Sequence, residues 1–253
     1  MYAEERLREI ADRTRSLGRV EVIALAAEFD VTPETIRKDL TNLERQGLVR
    51  RVHGGAIPIT RLAFEPAVSQ RAERMADEKD RIAKAALSEL PHEGAVLLDA
   101  GTTTARIAEL VPSDRELTVV TNSIPIALTL SVRPNVQVLV TGGRVRSRTL
   151  AGVGDWTVEA LSRIRVDVAY IGANGISPEF GLTTPDQAEA QAKRAMIAAT
   201  RRTVVVADHT KLGEDYFAKF ADLEQVDTVI TDDGADAELA SLIEARGPRV
   251  VLA

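Results

Sequence analysis

The chain has no cysteine and only three histidines, His53, His92 and His209, widely separated in sequence. The first absence excludes disulfides and thiolate metal sites, and the second argues against a structural zinc, so neither metal nor cofactor is expected. No apolar run approaches the roughly 20 residues that a membrane-spanning helix requires, and no basic-then-apolar leader follows Met1. These absences predict a cytoplasmic protein with no membrane partner. Repeats and low-complexity tracts are missing too. What is there is a chain of 253 residues, 45% hydrophobic and 28% charged, enough for one small and one medium domain with separate cores.

The net charge of −6, taken as an average, argues against nucleic acid. Its distribution does not. Residues 1–60 hold 10 Lys+Arg and 10 Asp+Glu, leaving 22 and 28 for residues 61–253, so the acidity lies in the larger part. Between Thr32 and His53 there are five cations (Arg37, Lys38, Arg45, Arg50, Arg51) against three anions (Glu34, Asp39, Glu44). Non-specific affinity for DNA follows the number of phosphates neutralised, so a monomer with this footprint binds weakly and a dimer or tetramer is implied.

The same stretch carries the strongest local pattern. Thr32 can cap a helix by accepting from the N–H of Thr35, and Pro33 then occupies the first helical position. Val31 and Ile36 can close a hydrophobic staple, and Ile36, Leu40 and Leu43 continue one apolar stripe. Lys38, Thr41 and Arg45 project from the opposite face, flanked by Thr35, Arg37 and Asn42, all of them able to bond phosphates or base edges. Gly47 ends the helix, and residues 48–53 read as a short strand with Arg50 and Arg51, turning at Gly54-Gly55. Three cations on an arbitrary helix would be a solvated face. Here two helical patterns precede it, over residues 4–17 and 20–29, and only Asp30 and Val31 join the second to Thr32, the tight turn of a helix-turn-helix. The candidate contacts to double-stranded operator DNA are Thr32, Thr35, Arg37, Lys38, Thr41, Asn42, Arg45, Arg50, Arg51 and His53.

With TIRKDL, LERQGL and RRVHGGA, residues 1–57 resemble the winged helix-turn-helix of the DeoR family of bacterial transcriptional regulators. Lys38 stands where many members have Arg.

Residues 57–69 contain Pro58 and Pro66 and lack periodicity, and a helical pattern follows from about Arg71 to Leu90. Short apolar runs then alternate with helices. The runs cover residues 95–99, 117–121, 136–141, 166–172, 203–208, 228–232 and 249–252, with helices expected at 102–111, 123–132, 155–164, 186–200 and 237–245 between them. Buried Val, Ile and Leu runs alternating with helices predict a two-domain α/β chain whose larger part is a mostly parallel, Rossmann-like sheet with helices on both faces. The expected organisation is a DNA-binding domain over 1–57, a linker over 58–74 and an effector-binding and oligomerisation domain over 75–253.

Ligands of such sheets bind at the carboxyl ends of the strands. The first ends in Asp99-Ala100-Gly101-Thr102-Thr103-Thr104 and runs straight into a helix, where hydroxyls and free N–H groups favour an anion; the competing reading makes Thr102 only an N-cap. Other strand ends give Thr121-Asn122-Ser123, Thr141-Gly142-Gly143-Arg144, Gly172-Ala173-Asn174-Gly175 and Asp208-His209-Thr210-Lys211, the last offering a cation to a phosphate. Glu189 and Lys193 share a helix face, and read alone they suggest a surface ion pair.

DAGTTT, TNS, TGG, GANGI with GLTT, EAQAKRAMI and VADHTK are similar to the effector domain of DeoR-type regulators, so the resemblance spans essentially the whole chain. It implies a fold like that of sugar-phosphate isomerases and a phosphorylated sugar or related metabolite held by Asp99, Thr102, Thr103, Thr104, Thr121, Asn122, Gly142, Gly143, Asn174, Glu189, Lys193 and Lys211, with Gly101 forming the turn. Many members read GADG where this chain has Asn174; an amide orients hydroxyls but cannot act as a general base. The opening MYAEER and the GANG variant look most like members that control fructose use, which implies fructose 1-phosphate as effector. Two functions compete: a repressor released by a sugar phosphate, and a sugar-phosphate isomerase or hydrolase using Asp99, Glu189 or His209 with an appended DNA-binding domain. Asn174 favours the regulator, and no catalytic residue is expected.

Overall fold

A computed structural model describes residues 3–17, 19–52, 54–58 and 65–253, which divide into two compact units, Met1–Pro66 and Ala67–Ala253.

In the first unit, α1 (Ala3–Leu17), β1 (Val20–Glu21), α2 (Val22–Glu28), α3 (Pro33–Arg45), β2 (Val49–Val52) and β3 (Gly55–Pro58) follow one another. Thr32 caps α3, its hydroxyl accepting the Thr35 N–H at 3.2 Å, and Ile36, Leu40 and Leu43 are fully buried in the core of this unit with Ile10, Leu25 and Val49. The helix ends in a Schellman motif: the Leu48 N–H reaches the Leu43 carbonyl at 2.9 Å and the Gly47 N–H reaches that of Glu44 at 3.0 Å. β2 and β3 form an antiparallel hairpin, and β1 adds to it in the order β1-β3-β2. Residues 20 and 21 were expected to be helical; they pair instead with Ala56 and Gly55, far along the chain. This contact explains Gly55, where an added Cβ would lie 1.9 Å from the Val20 carbonyl oxygen.

The second unit opens with α4 (Val68–Glu73) and α5 (Ala76–Ala86), one helical pattern broken in two by Met75, whose φ of 53° no helix tolerates. Then come β4 (Glu93–Leu98), α6 (Thr102–Leu110), β5 (Glu116–Thr121), α7 (Ile124–Ser131), β6 (Val136–Val140), β7 (Arg144–Arg146), β8 (Ala151–Val153), α8 (Asp155–Ser162), β9 (Val168–Gly172), β10 (Gly175–Ser177), β11 (Gly181–Thr184), α9 (Gln187–Ala198), β12 (Thr203–Val206), β13 (Ala218–Ala221), β14 (Thr228–Thr231), α10 (Ala237–Glu244) and β15 (Arg249–Leu252). Seven strands form one all-parallel sheet in the order β15-β14-β12-β9-β4-β5-β6. Each of the seven apolar runs supplies one of them. Alternate residues serve opposite faces: Val96 and Leu98 join Ile82, Ile107 and Ile126 in one core, while Leu97 and Ile171 join Leu161, Met196 and Phe220 in the other. Helices thus cover both faces, as the runs required. Two additions were not expected, the β7–β8 hairpin and an antiparallel trio β10-β11-β13.

The chain enters the sheet at β4, adds β5 and β6 on one side and then returns to build β9, β12, β14 and β15 on the other. The topological switch point therefore lies between β4 and β9, and the crevice at their carboxyl ends is where a ligand is expected.

Candidate functional site

In the first unit, Lys38, Arg45 and Arg50 are exposed and form no ion pair or hydrogen bond through their side chains among the described residues. Arg37 is exposed and paired with Glu34 at 3.2 Å. Thr41 joins helix to hairpin, donating to the Arg37 carbonyl at 2.7 Å and accepting from the Arg51 guanidinium at 2.9 Å, while Glu44 accepts the Arg51 N–H at 2.8 Å. Asn42 accepts from Gln46 at 3.3 Å, and Thr32 and Thr35 are engaged with each other. α3 and the wing are thereby braced as one surface. His53 lies outside the described residues. Asp39, counted above among the local anions, points inward and meets Arg6 at 2.6 Å, both side chains about nine-tenths buried. This bond raises the Arg6 pKa further above its already high value. One of three anions is thus removed from the face that carries the cations.

In the second unit, the switch point is occupied by a buried ion pair. Lys193, on α9, donates to the Asp99 carboxylate and, at 2.8 Å, to the Gly172 carbonyl; the same carboxylate accepts the Gly172 N–H at 3.0 Å. Both side chains are at most 5% exposed, so the pair ties the end of β4 to the end of β9. Glu189 and Lys193 are therefore not the surface pair that their spacing suggests. Each is buried and turned to a different partner, Glu189 accepting from Arg146 at 3.2 Å and from Thr149. Arg146 also meets Asp186 at 3.1 Å. Arg146 and Thr149 belong to the β7–β8 hairpin and its turn, which no periodicity announced.

Gly101, not Thr102, is the N-cap of α6, so the N–H groups of Thr102, Thr103 and Thr104 precede the first helical bond, from Ala105 to Gly101 at 3.1 Å. The hydroxyls of Thr102 and Thr103 have no partner among the described residues. Three other candidates are engaged within the fold. Thr104 donates to the Asp99 carbonyl at 2.6 Å, Thr121 donates to the Leu98 carbonyl at 2.7 Å, and Asn122 links the Ala100 N–H, at 2.9 Å, to the Gly152 carbonyl, at 3.1 Å. All three are buried, and these bonds brace the loop after β4. Gly142 and Gly143 turn the chain into the hairpin; at Gly143 an added Cβ would meet the Thr157 hydroxyl at 2.3 Å. Asn174 is half-buried after β9, its N–H donating to the Thr183 carbonyl at 3.1 Å.

Lys211 follows β12, the strand paired with β9, and burial lowers its pKa from the usual lysine value. His209, two residues earlier, meets Asp232 at 2.6 Å rather than its neighbour Asp208. Burial alone would push the Asp232 carboxyl up, but the N–H and ring of His209 and the N–H of Gly234 outweigh it and hold the carboxyl low. The first turn of α6 offers an anion N–H donors and two hydroxyls. Asp99 is no free base, since its carboxylate is committed to Lys193 and Gly172.

Comparison with known proteins agrees with both halves. The family model for the DeoR-like helix-turn-helix domain matches residues 6–61, and that for the DeoR C terminal sensor domain matches residues 74–233. The HTH-type transcriptional regulator GlpR of Haloferax volcanii is 38% identical over 99% of this chain and 98% of its own. The glycerol-3-phosphate regulon repressor of Escherichia coli strain K12 is 32% identical over 92% of each chain. Among solved structures, ribose 5-phosphate isomerase a from Methanocaldococcus jannaschii aligns over 54% of each chain with a TM-score of 0.40 and 16% identity. No described helix is long and apolar enough to cross a membrane.

Proposed function

The chain belongs to the DeoR family of transcriptional regulators, and from that premise we propose that it represses a sugar-utilisation operon and leaves its operator when a phosphorylated sugar binds the second unit. The relatives are named as regulators, not enzymes, and the chain is read accordingly. The observation that carries the effector half is the first turn of α6 after β4, with Thr102 and Thr103 beside the strand end fixed by Asp99 and Lys193; Lys211 follows β12, two strands away on the same rim. On the DNA side, Lys38, Arg45 and Arg50 are the cations of α3 and the wing whose side chains make neither an ion pair nor a hydrogen bond among the described residues. They are the ones to meet phosphates and bases, with Thr32, Thr35, Arg37, Thr41, Asn42 and Arg51 beside them.

Three cations per reading head give a modest electrostatic grip, so operator affinity comes from two heads on one homodimer or from a homotetramer. A sugar phosphate releases DNA only as far as it binds the non-operator arrangement more tightly than the operator-bound one. Fructose 1-phosphate is the first effector to test, on the strength of the opening MYAEER and the Asn174 variant. The glycerol-3-phosphate named for one relative is the second. Thermal unfolding of the full chain against a panel of sugar phosphates and their parent sugars tests this. A ligand at about 100 times its dissociation constant adds roughly 2.7 kcal/mol, a readable shift. Absence of a shift with every phosphorylated sugar would defeat the reading.

A further inference from the structure

Deepening the homo-oligomer reading given above, we propose that the outer stripe of α7 and the free edge of β6 form the face through which a second copy of this chain binds, two-fold related to the first. Residues 117–143 hold one charged side chain in 27, Arg133, where the chain as a whole is 28% charged. That one is committed within the fold, since its guanidinium donates to the carbonyls of Glu109 and Val111. α7 buries Ile126 and Leu130 completely, in the core they share with Ile107. Its other side carries Ile124 and Leu128, with Val132 just beyond its end, spaced four apart and so on one face. A surface helix ordinarily turns polar residues to solvent. Here Leu128 is 68% and Val132 82% exposed, and the hydroxyls of Thr129 and Ser131 turn back to the carbonyls of Pro125 and Leu128. A helix that is apolar on both sides is suited to being covered on both.

β6 continues the same surface. It packs against α7, pairs with β5 alone among the described strands and ends the order of the seven-stranded sheet. Exposed edges are ordinarily blunted by a charge, a proline or a bulge. Val136–Val140 has none of these, and Leu139 and Val140 are both exposed. Beside the carboxyl end of β6 stands Trp156, the one tryptophan of the chain and 77% exposed; its neighbour Thr157 donates to the Gly142 carbonyl at 2.8 Å. Fully burying a Val, Leu or Ile side chain removes on the order of 60–120 Å² of apolar surface, and an aromatic about 150–250 Å². Weighted by their exposure, these five aliphatic side chains and Trp156 leave roughly 300–500 Å² of apolar surface bare on each copy. An interface of standard size buries about 800 Å² per partner, a little over half of it apolar, so the bare surface is the right size for the centre of one. The occupant that fits is the chain itself. Under a two-fold axis a patch meets its own equivalent, so a charge on it would face a charge of the same sign; an uncharged patch carries no such penalty. The same axis lays two β6 edges antiparallel, each supplying the backbone partners that the other lacks.

Sedimentation equilibrium of the full chain over a range of concentrations tests this. Wild type should associate reversibly, and Leu128→Glu, which sets a carboxylate against its own copy, should raise the dissociation constant at least about a hundredfold. Leu242→Glu, at an exposed leucine on α10 beside the opposite edge strand β15, should leave it within about threefold. Circular dichroism checks that each variant folds; if Leu128→Glu does not, Val132→Lys, at a still more exposed position, is read in the same way. Because the chain has no cysteine, Leu128→Cys offers a single thiol, whose alkylation should slow at least about tenfold as copies associate, while that of Leu242→Cys stays unchanged. Wild type that associates, with Leu128→Glu associating equally well, overturns the face and leaves the homo-oligomer reading to another surface. Wild type that is monomeric at every concentration overturns both. A wild-type tetramer that Leu128→Glu cuts to a dimer supports the proposal, with this face as one of its two interfaces.

Discussion

Lys193 and Asp99 lie 94 residues apart in sequence and meet at the switch point of the sheet, where one ammonium joins the ends of β4 and β9. Loss of one partner leaves the other charged and buried, which costs on the order of 3–5 kcal/mol. Lys193→Met should lower the unfolding free energy by about that amount in urea titrations, and Lys193→Met with Asp99→Leu should recover much of it. A loss below about 1 kcal/mol in the single variant would show that the pair does not brace the site.

Lys38→Ala and Arg50→Ala should each weaken operator binding, measured by fluorescence anisotropy. If each contacts a phosphate, the slope of log K against log salt falls by about 0.9 per lost contact on each half-site. Unchanged affinity in both variants would remove α3 and the wing as the DNA-reading surface.

Thr103→Val keeps the shape of the side chain and deletes a hydroxyl that is unpartnered among the described residues. It should give, as should Lys211→Ala, a repressor that stays on its operator at effector concentrations that release the wild type by half. Normal release by both variants would place the effector elsewhere.

Lys79 ties stability to pH. Its pKa of about 8 lies below the ordinary 10.5, under burial and the influence of Asp208, Lys211, Arg71 and Arg74. Between about 8 and 10.5 the unfolded chain keeps a proton that the folded one has released, so this group makes stability rise with pH across that window. Urea titrations from pH 7 to beyond pH 9 check this, and a stability that stays flat or falls in wild type just as in Lys79→Met would contradict it.

The seven sheet strands were legible because each is a contiguous apolar run rich in Val, Ile and Leu that needs no partner to be recognised; β9, β12 and β14 are buried on both faces, while the edge strands β6 and β15 are partly exposed. The caps of α3 were legible for a related reason: Thr32, Pro33 and Gly47 act on backbone within four residues. What could not be read depends on distant pairing. Gly175–Ser177 and Gly181–Thr184 are strands only because they lie against each other and Ala218–Ala221, and Val20–Glu21 only because β3 passes beside it. Thr104 and Thr121 look like ligands in a motif, but their acceptors are carbonyls of the loop they stabilise. The partners of Lys193 and His209 are 94 and 23 residues away, and their hydrogen bonds exist only once the sheet has brought strand ends together.

The central claim is that a phosphorylated sugar, unchanged by the protein, controls the grip on DNA. Its most direct test is titration of the preformed complex of full-length protein and operator with fructose 1-phosphate, then with the wider sugar-phosphate panel, followed by recovery of the ligand. One sugar phosphate should release the DNA saturably and be recovered intact, while its parent sugar does nothing. Release by none of them, or recovery of the active compound as an isomer or as free sugar and phosphate, would contradict the account.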